Sequence, residues 1–265
     1  MTHPLLHQLR RQLDAVLDLI SPRCCAVCGR VLSEHERLLC LKCYMDLPRT
    51  GYHKAPHSFL ETDYWARIPV GRAAAFFFYN EQNRQLLFSA KYHAKPGAGE
   101  YLGRLMAQEI SNESDFFNDI DLIVPIPLHR RREKWRGYNQ SDYIALGIHH
   151  VTGIPICRQA VVRTVDTESQ TALTHAEREQ NVKDIFRCTR PDLLRGRHIL
   201  LVDDVVTTGA TTRSCAQAIL QALGEYDPNG INITASVRFS ILALAIASKD
   251  TMPMTADTPY RKDLY

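Results

Sequence analysis

Four apolar residues followed at once by two adjacent acids and a threonine-rich turn constrain this chain more than any other stretch. In HILLVDDVVTTGATT, His198 to Thr212, the run Ile199, Leu200, Leu201 and Val202 has the pattern of a strand buried on both faces in a parallel sheet. Asp203 and Asp204 then fall at its carboxyl end, where open α/β sheets bind ligands. Thr207, Thr208, Gly209, Ala210, Thr211 and Thr212 open a helical pattern that runs through Ala216, Ile219, Leu220 and Leu223 to Gly224. A helix start of this kind offers backbone N–H groups, hydroxyls and the positive end of the helix dipole, which suit a phosphate monoester. The two carboxylates repel such a phosphate and instead suit the hydroxyls of an attached sugar or a hydrated Mg2+. Simple capping of a strand and a helix is the plainer reading. The coincidence of apolar strand, paired acids and Thr/Gly turn favours a binding site. Neither GxxxxGK[ST] nor GxGxxG occurs in the chain, which disfavours a nucleoside triphosphatase or a dinucleotide enzyme.

A second constraint lies near the amino terminus. Cys25 and Cys28 form one CxxC and Cys40 and Cys43 another, with eleven residues between them. Two such pairs in a chain without a secretory signal favour tetrahedral Zn2+ over disulfides. Cys24 and His35 are competing donors that four thiolates do not need. So short a module buries little core of its own, and the metal would supply its folding energy as a closed, structural site. Cys157, Cys188 and Cys215 stand apart and read as buried small hydrophobes. Upstream, Leu5, Leu6, Leu9, Leu13, Val16, Leu17 and Ile20 recur at helical spacing among Arg10, Arg11, Asp14 and Asp18. That pattern describes an amphipathic helix packing on the protein's own body, not a signal peptide.

Between these features the chain reads as an ordinary α/β protein. A length of 265 residues with 45% hydrophobic and 23% charged content allows one core and a small extra module. No apolar stretch is long enough for a membrane span, so a cytoplasmic protein without membrane insertion is expected. The expected limits are a helix and cysteine module over 1–55, an α/β domain over 64–247 and a disordered tail over 248–265, with a linker between Thr50 and Thr62. Ile68 to Tyr79 predicts the first strand of the larger domain, and Leu86, Leu87 and Tyr92 a helix. Leu102, Leu105, Met106 and Ile110 mark a further helix, Leu122 to Val124 a strand stopped by Pro125 and Pro127, and Ile231 to Val237 the start of another strand.

After Pro127 a loop is expected that carries Arg130, Arg131, Arg132, Lys134 and Arg136, five cations within seven residues, and a helix follows from near Asn139. Arginines at the carboxyl end of a strand suit phosphate contacts. Trp135 and Tyr138 interleave with them, adding the ring faces that single-stranded nucleic acid requires. A solvated basic loop is the bland alternative. The long polar stretch from Arg163 to Phe186 reads as a lid or binding segment, with Arg163, Gln170, Arg178 and Asn181 as polar candidates.

LLVDDVVTTGATT resembles the phosphoribosyl pyrophosphate (PRPP) loop of type I phosphoribosyltransferases. The cysteine pairs, LFSAKYH, DLIVPIPL, RGYNQ and this loop, taken in order, resemble the ComF family, which includes competence proteins used in natural DNA transformation. That resemblance implies a mostly parallel central sheet flanked by helices, with a small N-terminal zinc module. It implies that Asp203 and Asp204 hold the ribose hydroxyls and that Thr207, Thr208, Gly209, Ala210 and Thr211 wrap the 5-phosphate. Lys91 and Arg136 would be anion contacts, and the VPIPL turn and basic loop the pyrophosphate side. Some members carry further cysteines after the zinc module; none occurs from Tyr44 to Ile156, so a single metal site is expected.

Two readings follow. The first is a competence factor that binds PRPP with Mg2+ and single-stranded DNA and works with the rest of the DNA-uptake machinery, its catalysis left open. The second is a phosphoribosyltransferase that displaces Mg-bound pyrophosphate from C1 of the ribose in favour of a small base-like acceptor. A zinc-stapled scaffold is the third, blander option. Solvent exposure of Trp135 and Tyr138 favours the first, and inward packing the second.

Overall fold

The computed structural model describes residues 22–54, 68–92, 96–166, 185–226 and 236–247, with the side chains of 90–96 outside that description. The elements in chain order are α1 (Leu41–Met45), β1 (Val70–Phe78), α2 (Arg84–Tyr92), α3 (Pro96–Glu113), β2 (Leu122–Pro125), α4 (Arg130–Arg136), α5 (Gln140–Thr152), β3 (Val161–Arg163), β4 (Phe186–Cys188), β5 (His198–Val206), α6 (Ala210–Leu223) and β6 (Arg238–Ile246). The main sheet has the order β1-β6-β5-β2, with every pairing parallel. β3 and β4 form a separate antiparallel pair.

Period-two alternation divides the strands between two cores. Leu200, Val202, Leu242, Leu244, Phe76 and Ile123 face one layer, which contains Leu102, Met106 and Ile110 of α3 and Ile144 and Ile148 of α5. Ile199, Leu201, Ile241, Ala243, Phe239 and Val124 face the other, built on Cys215, Ala216, Ile219 and Leu220 of α6. Ile199 to Val202 have no exposed surface, as their uninterrupted apolar run predicts. The helices on both faces complete the expected parallel, helix-flanked sheet.

Glycine sets the crossing of α3 and α5. A Cβ on Gly103 would stand 2.2 Å from the Ile144 carbonyl oxygen, and one on Gly147 2.2 Å from that of Glu100. The two backbones therefore touch, and any side chain at either position would force them apart.

Several expectations need correction. Pro125 lies inside β2, opposite Val202; β2 is the edge strand of the main sheet, a position where proline is tolerated. The basic segment is not a loop but the helix α4. Arginine, lysine and glutamate are good helix formers even without an apolar stripe. His129 accepts a hydrogen bond from the Arg131 N–H, and Gly137 (φ 85°) closes the helix by donating to the Glu133 carbonyl. β6 starts at Arg238, within the run that follows Val237, while 231–235 lie outside the described residues. Of the three separate cysteines only Cys215 is buried; Cys157 and Cys188 are half-buried. The N-terminal segment, the tail, and Gln170, Arg178 and Asn181 of the lid segment also lie outside the description.

The cysteine module is joined to the body by one continuous core. Cys25, Leu32, Leu39, Cys40 and Leu47 share a cluster with Phe76, Leu102 and Met106. Its outgoing strand-like segment binds the free edge of β1: Phe78 N–H donates to Pro48 O (2.8 Å) and Thr50 N–H to Phe76 O (3.2 Å). The Arg49 guanidinium forks onto both Glu109 oxygens of α3 at 3.0 Å and lies over the rings of Tyr44 and Phe76. Where a linker was expected, His53 is buried and bonded to Glu113 at 2.8 Å.

Candidate ligand cradle, basic helix and metal centre

Asp203 and Asp204 sit within β5 rather than past its end, because pairing with β6 continues from Asp203 opposite Ala243 to Val206 opposite Ile246. Both are half-buried. The Asp203 carboxylate accepts from the Asp204 N–H at 2.9 Å, and that of Asp204 from the Val205 N–H at 2.7 Å. Ser141, at the start of α5, donates its hydroxyl to Asp203 at 3.4 Å. Next come Thr207 and Thr208, exposed, and Gly209, which caps α6 in the left-handed conformation (φ 69°). Thr211 is exposed in the first turn, whereas Thr212 is buried and bonds the Gly209 carbonyl at 2.9 Å. The paired acids and the Thr/Gly turn are therefore brought together as one cradle at the carboxyl end of the sheet.

The turn after β2 closes the same end. Ile126 N–H donates to Val202 O (2.9 Å), and the Asn139 amide donates to Ile126 O (3.0 Å) while its oxygen caps α5. α4 hangs between these two anchors and has two faces. Arg130, Arg131, Lys134 and Trp135 are exposed, with Trp135 at 72%; positions four apart share a helix face, so Arg131 lies beside Trp135 and Arg130 beside Lys134. Arg132 and Arg136 are half-buried on the inner face. Arg132 is held by Asp166 at 2.9 Å, a structural ion pair. Tyr138 is buried edge-on against Tyr143. The six nucleic-acid candidates thus divide into four that face solvent and two, Arg132 and Tyr138, that do not. Lys91 is on α2, but its side chain lies outside the description.

Asp142, next to Ser141, went unnoticed in the sequence. Burial pushes its carboxyl up to about 6, against the opposing pull of Arg158. Nothing in its local sequence separates it from a solvated helix-start acid.

At the other site, the ligand atoms of Cys25, Cys28, Cys40 and Cys43 all lie within 4.8 Å of one another, and Cys28 and Cys40 sulfurs are 3.8 Å apart. Tetrahedral thiolates around Zn2+ at about 2.3 Å would stand about 3.8 Å apart. The donor set therefore fits a metal ion. Cys24 and His35, both exposed, are not members of the cluster. Burial raises the Cys25 thiol, yet the N–H groups of Cys28, Cys40 and Val27 outweigh it and bring it down to about 6. Burial pushes Cys43 up; a bound cation would reverse that. Glu36, a second residue missed in the sequence, ties the loop together. Its carboxylate accepts from Ser33 N–H (2.8 Å), Leu41 N–H (2.7 Å) and Arg30 (2.8 Å). Only its position between the cysteine pairs could have flagged it.

These features define a class: a parallel α/β body with a candidate ligand cradle at the strand ends and a docked four-cysteine module. The chain belongs to the ComF family. It is 31% identical to DNA utilization protein YhgH of Escherichia coli K12 over 199 residues, covering 74% of this chain and 84% of that one. It is 25% identical to competence protein ComFC of Bacillus subtilis over 206 residues, 77% and 75% of the two chains. Competence protein F of Haemophilus influenzae matches at 34% over 105 residues, 39% and 45% of the two chains. No family model matches. Among solved structures, a glutamine PRPP amidotransferase from B. subtilis aligns with 55% of this chain and 26% of its own at 21% identity and a TM-score of 0.34. A hypothetical protein from Neisseria gonorrhoeae with bound ppGpp aligns with 60% and 74% at 16% identity and 0.32. Nothing about the site follows from likenesses this remote. Among the described residues no helix is long and apolar enough to cross a membrane.

Proposed function

We propose that this chain binds PRPP in the strand-end cradle, engages single-stranded DNA on the outer face of α4, and serves DNA uptake or utilisation. The observation that carries this reading is the placement of the exposed Arg130, Arg131, Lys134 and Trp135 face at the same sheet end as Asp203, Asp204 and the threonine turn. Relatives named for DNA utilisation and competence support it. In this reading Thr207, Thr208, Gly209, Ala210 and Thr211 receive the 5-phosphate with backbone N–H groups and hydroxyls. Asp203 and Asp204 hold the sugar hydroxyls and a hydrated Mg2+, whose charge balances the pyrophosphate. Arg136, on the inner face of α4, and Lys91 are the anion contacts. Zn2+ in the four-thiolate centre is structural, since four protein ligands leave no open position.

The inward packing of Tyr138 favours the second reading, a phosphoribosyltransferase for a small acceptor. There the chain would contribute positioning and charge stabilisation, not a nucleophile. Calorimetric titration with PRPP and Mg2+, repeated with a short single-stranded oligonucleotide over a salt series, separates the readings. Asp203→Asn with Asp204→Asn is expected to abolish PRPP binding and leave melting unchanged. Arg131→Ala with Lys134→Ala is expected to lower the slope of log affinity against log salt by about 1.4, two phosphate contacts at roughly 0.7 each. Unchanged DNA affinity and slope would leave the small-acceptor reading, and unchanged PRPP affinity would sink the cradle assignment.

A further inference from the structure

A cleft of about 290 Å³ opens where the cysteine module meets the body. One wall belongs to the module and carries Cys28, Cys43 and Asp46 with the apolar Val27 and Leu47. The other is the turn between β1 and α2, with Asn80, Gln82 and Asn83. That turn is fixed by its own hydrogen bonds. Asn80 and Asn83 each donate a backbone N–H to the other's side-chain oxygen at 2.9 Å, and the amide of the buried Asn83 donates to Phe78 O at 2.8 Å. The wall therefore stands before any guest arrives.

The cleft is separate from the cradle. Phe78 lies opposite Ile246, and Ile246 opposite Val206. The ends of β1 and β5 are thus level and two strand spacings apart, about 10 Å.

Its lining is one-sided in charge. Among the described residues no lysine, arginine or histidine lines it. Asp46 is exposed, and its carboxylate has no partner among the described residues. Four thiolates around one Zn2+ would keep two net negative charges, and sulfur accepts N–H hydrogen bonds. Arg30 does not cancel them: it is paired with Glu36 at 2.8 Å, and both line a different groove. Sulfur and carboxylate on one wall and side-chain amides on the other suit a cation with several N–H donors. Val27 and Leu47 suit its methylene groups.

We propose that this cleft binds a free small organic cation, an alkyl ammonium or guanidinium, held by Asp46 and by N–H donation to the sulfurs of Cys28 and Cys43. Because the guest touches both walls, its binding energy adds to the docking of the module on the body.

Calorimetric titration of the metal-loaded chain with putrescine, with agmatine and with the uncharged diol of the same length as putrescine tests this. At least one of the two amines is expected to bind at a single site, and the diol to give no heat. Asp46→Asn is expected to weaken amine binding about tenfold, the scale of one charge contact near a protein surface. Gln82→Lys sets a resident ammonium in the cleft from the body side and is expected to abolish binding. In the Co2+-loaded chain the thiolate-to-metal absorption is expected to shift when the amine is added, which binding at a distance would not cause. Should Asp46→Asn lose its metal, Gln82→Lys and the absorption decide. No binding of either amine, equal binding of the diol, or binding that both variants and the absorption leave unchanged overturns the proposal. Preference for an acetylated, amidated Gly-Lys-Gly peptide over both free amines assigns the cleft to a polypeptide side chain and overturns it as well.

Discussion

The two sites of this molecule are held in place by opposite means. The cradle stands on a sheet whose central strand has no exposed surface from Ile199 to Val202, so its backbone is positioned by cores on both faces before any ligand arrives. The four-thiolate module has few buried residues of its own, and those join the body's core. Its loop is shaped by backbone N–H groups around sulfur and by the Glu36 carboxylate. The lesson is one of economy in construction: where apolar area is available, packing positions a site, and where it is not, charge and a cation must.

The sharpest way to break this contrast is to remove the cation. Cys25→Ser with Cys40→Ser, or a strong chelator, is expected to abolish metal binding and melt the module while the sheet persists. Structural Zn2+ in small modules is worth on the order of 10 kcal/mol or more. Metal analysis together with proteolysis confined to 22–54 would show it, and global unfolding at once would erase the distinction. The converse variant strikes the body. Gly147→Ala places a Cβ 2.2 Å from the Glu100 carbonyl and is expected to cost about 3 kcal/mol. Chemical denaturation should report that loss at unchanged metal content, whereas Gly153→Ala, with open space around it, would be strained only through its φ of 75°.

A smaller effect sharpens the comparison at the cradle. Asp142 has a folded pKa of about 6 against an ordinary value of 3.8, so between these values the folded state binds more protons than the unfolded one. Stability falls as pH rises through that window and stays lower above it. Asp142→Asn is expected to raise stability at pH 7 by up to about 3 kcal/mol and to change little at pH 3.5. Melting curves at both pH values check this, and an equal gain at both would refute it.

Much of this architecture was legible because it is local. The strand, acids and threonine turn of β5 and α6 are contiguous, and the CxxC spacing marks its own ligands. What stayed hidden depends on residues far apart in sequence. That β6 lies between β1 and β5 is a matter of long-range pairing, which no window of residues contains. Gly103 and Gly147 look like weak points in two helices until those helices meet. α4 is the local exception: without an apolar stripe, the helical character of Arg130 to Arg136 rests on good helix formers and on the adjacent caps His129 and Gly137. The division of its cations between solvent and Asp166 is tertiary, as is the burial that sets Asp142 apart.

The segment from Pro48 to Thr50 occupies the free edge of β1 and is covalently continuous with the four-cysteine loop. An uncovered parallel edge ending in three consecutive phenylalanines, Phe76 to Phe78, would be a template for strand addition by a neighbouring molecule. A cation held by the four thiolates would therefore govern more than the shape of a small loop. By keeping that segment seated, such a cation would guard the edge of β1 against self-association, and its removal is expected to register as aggregation before it registers as loss of fold.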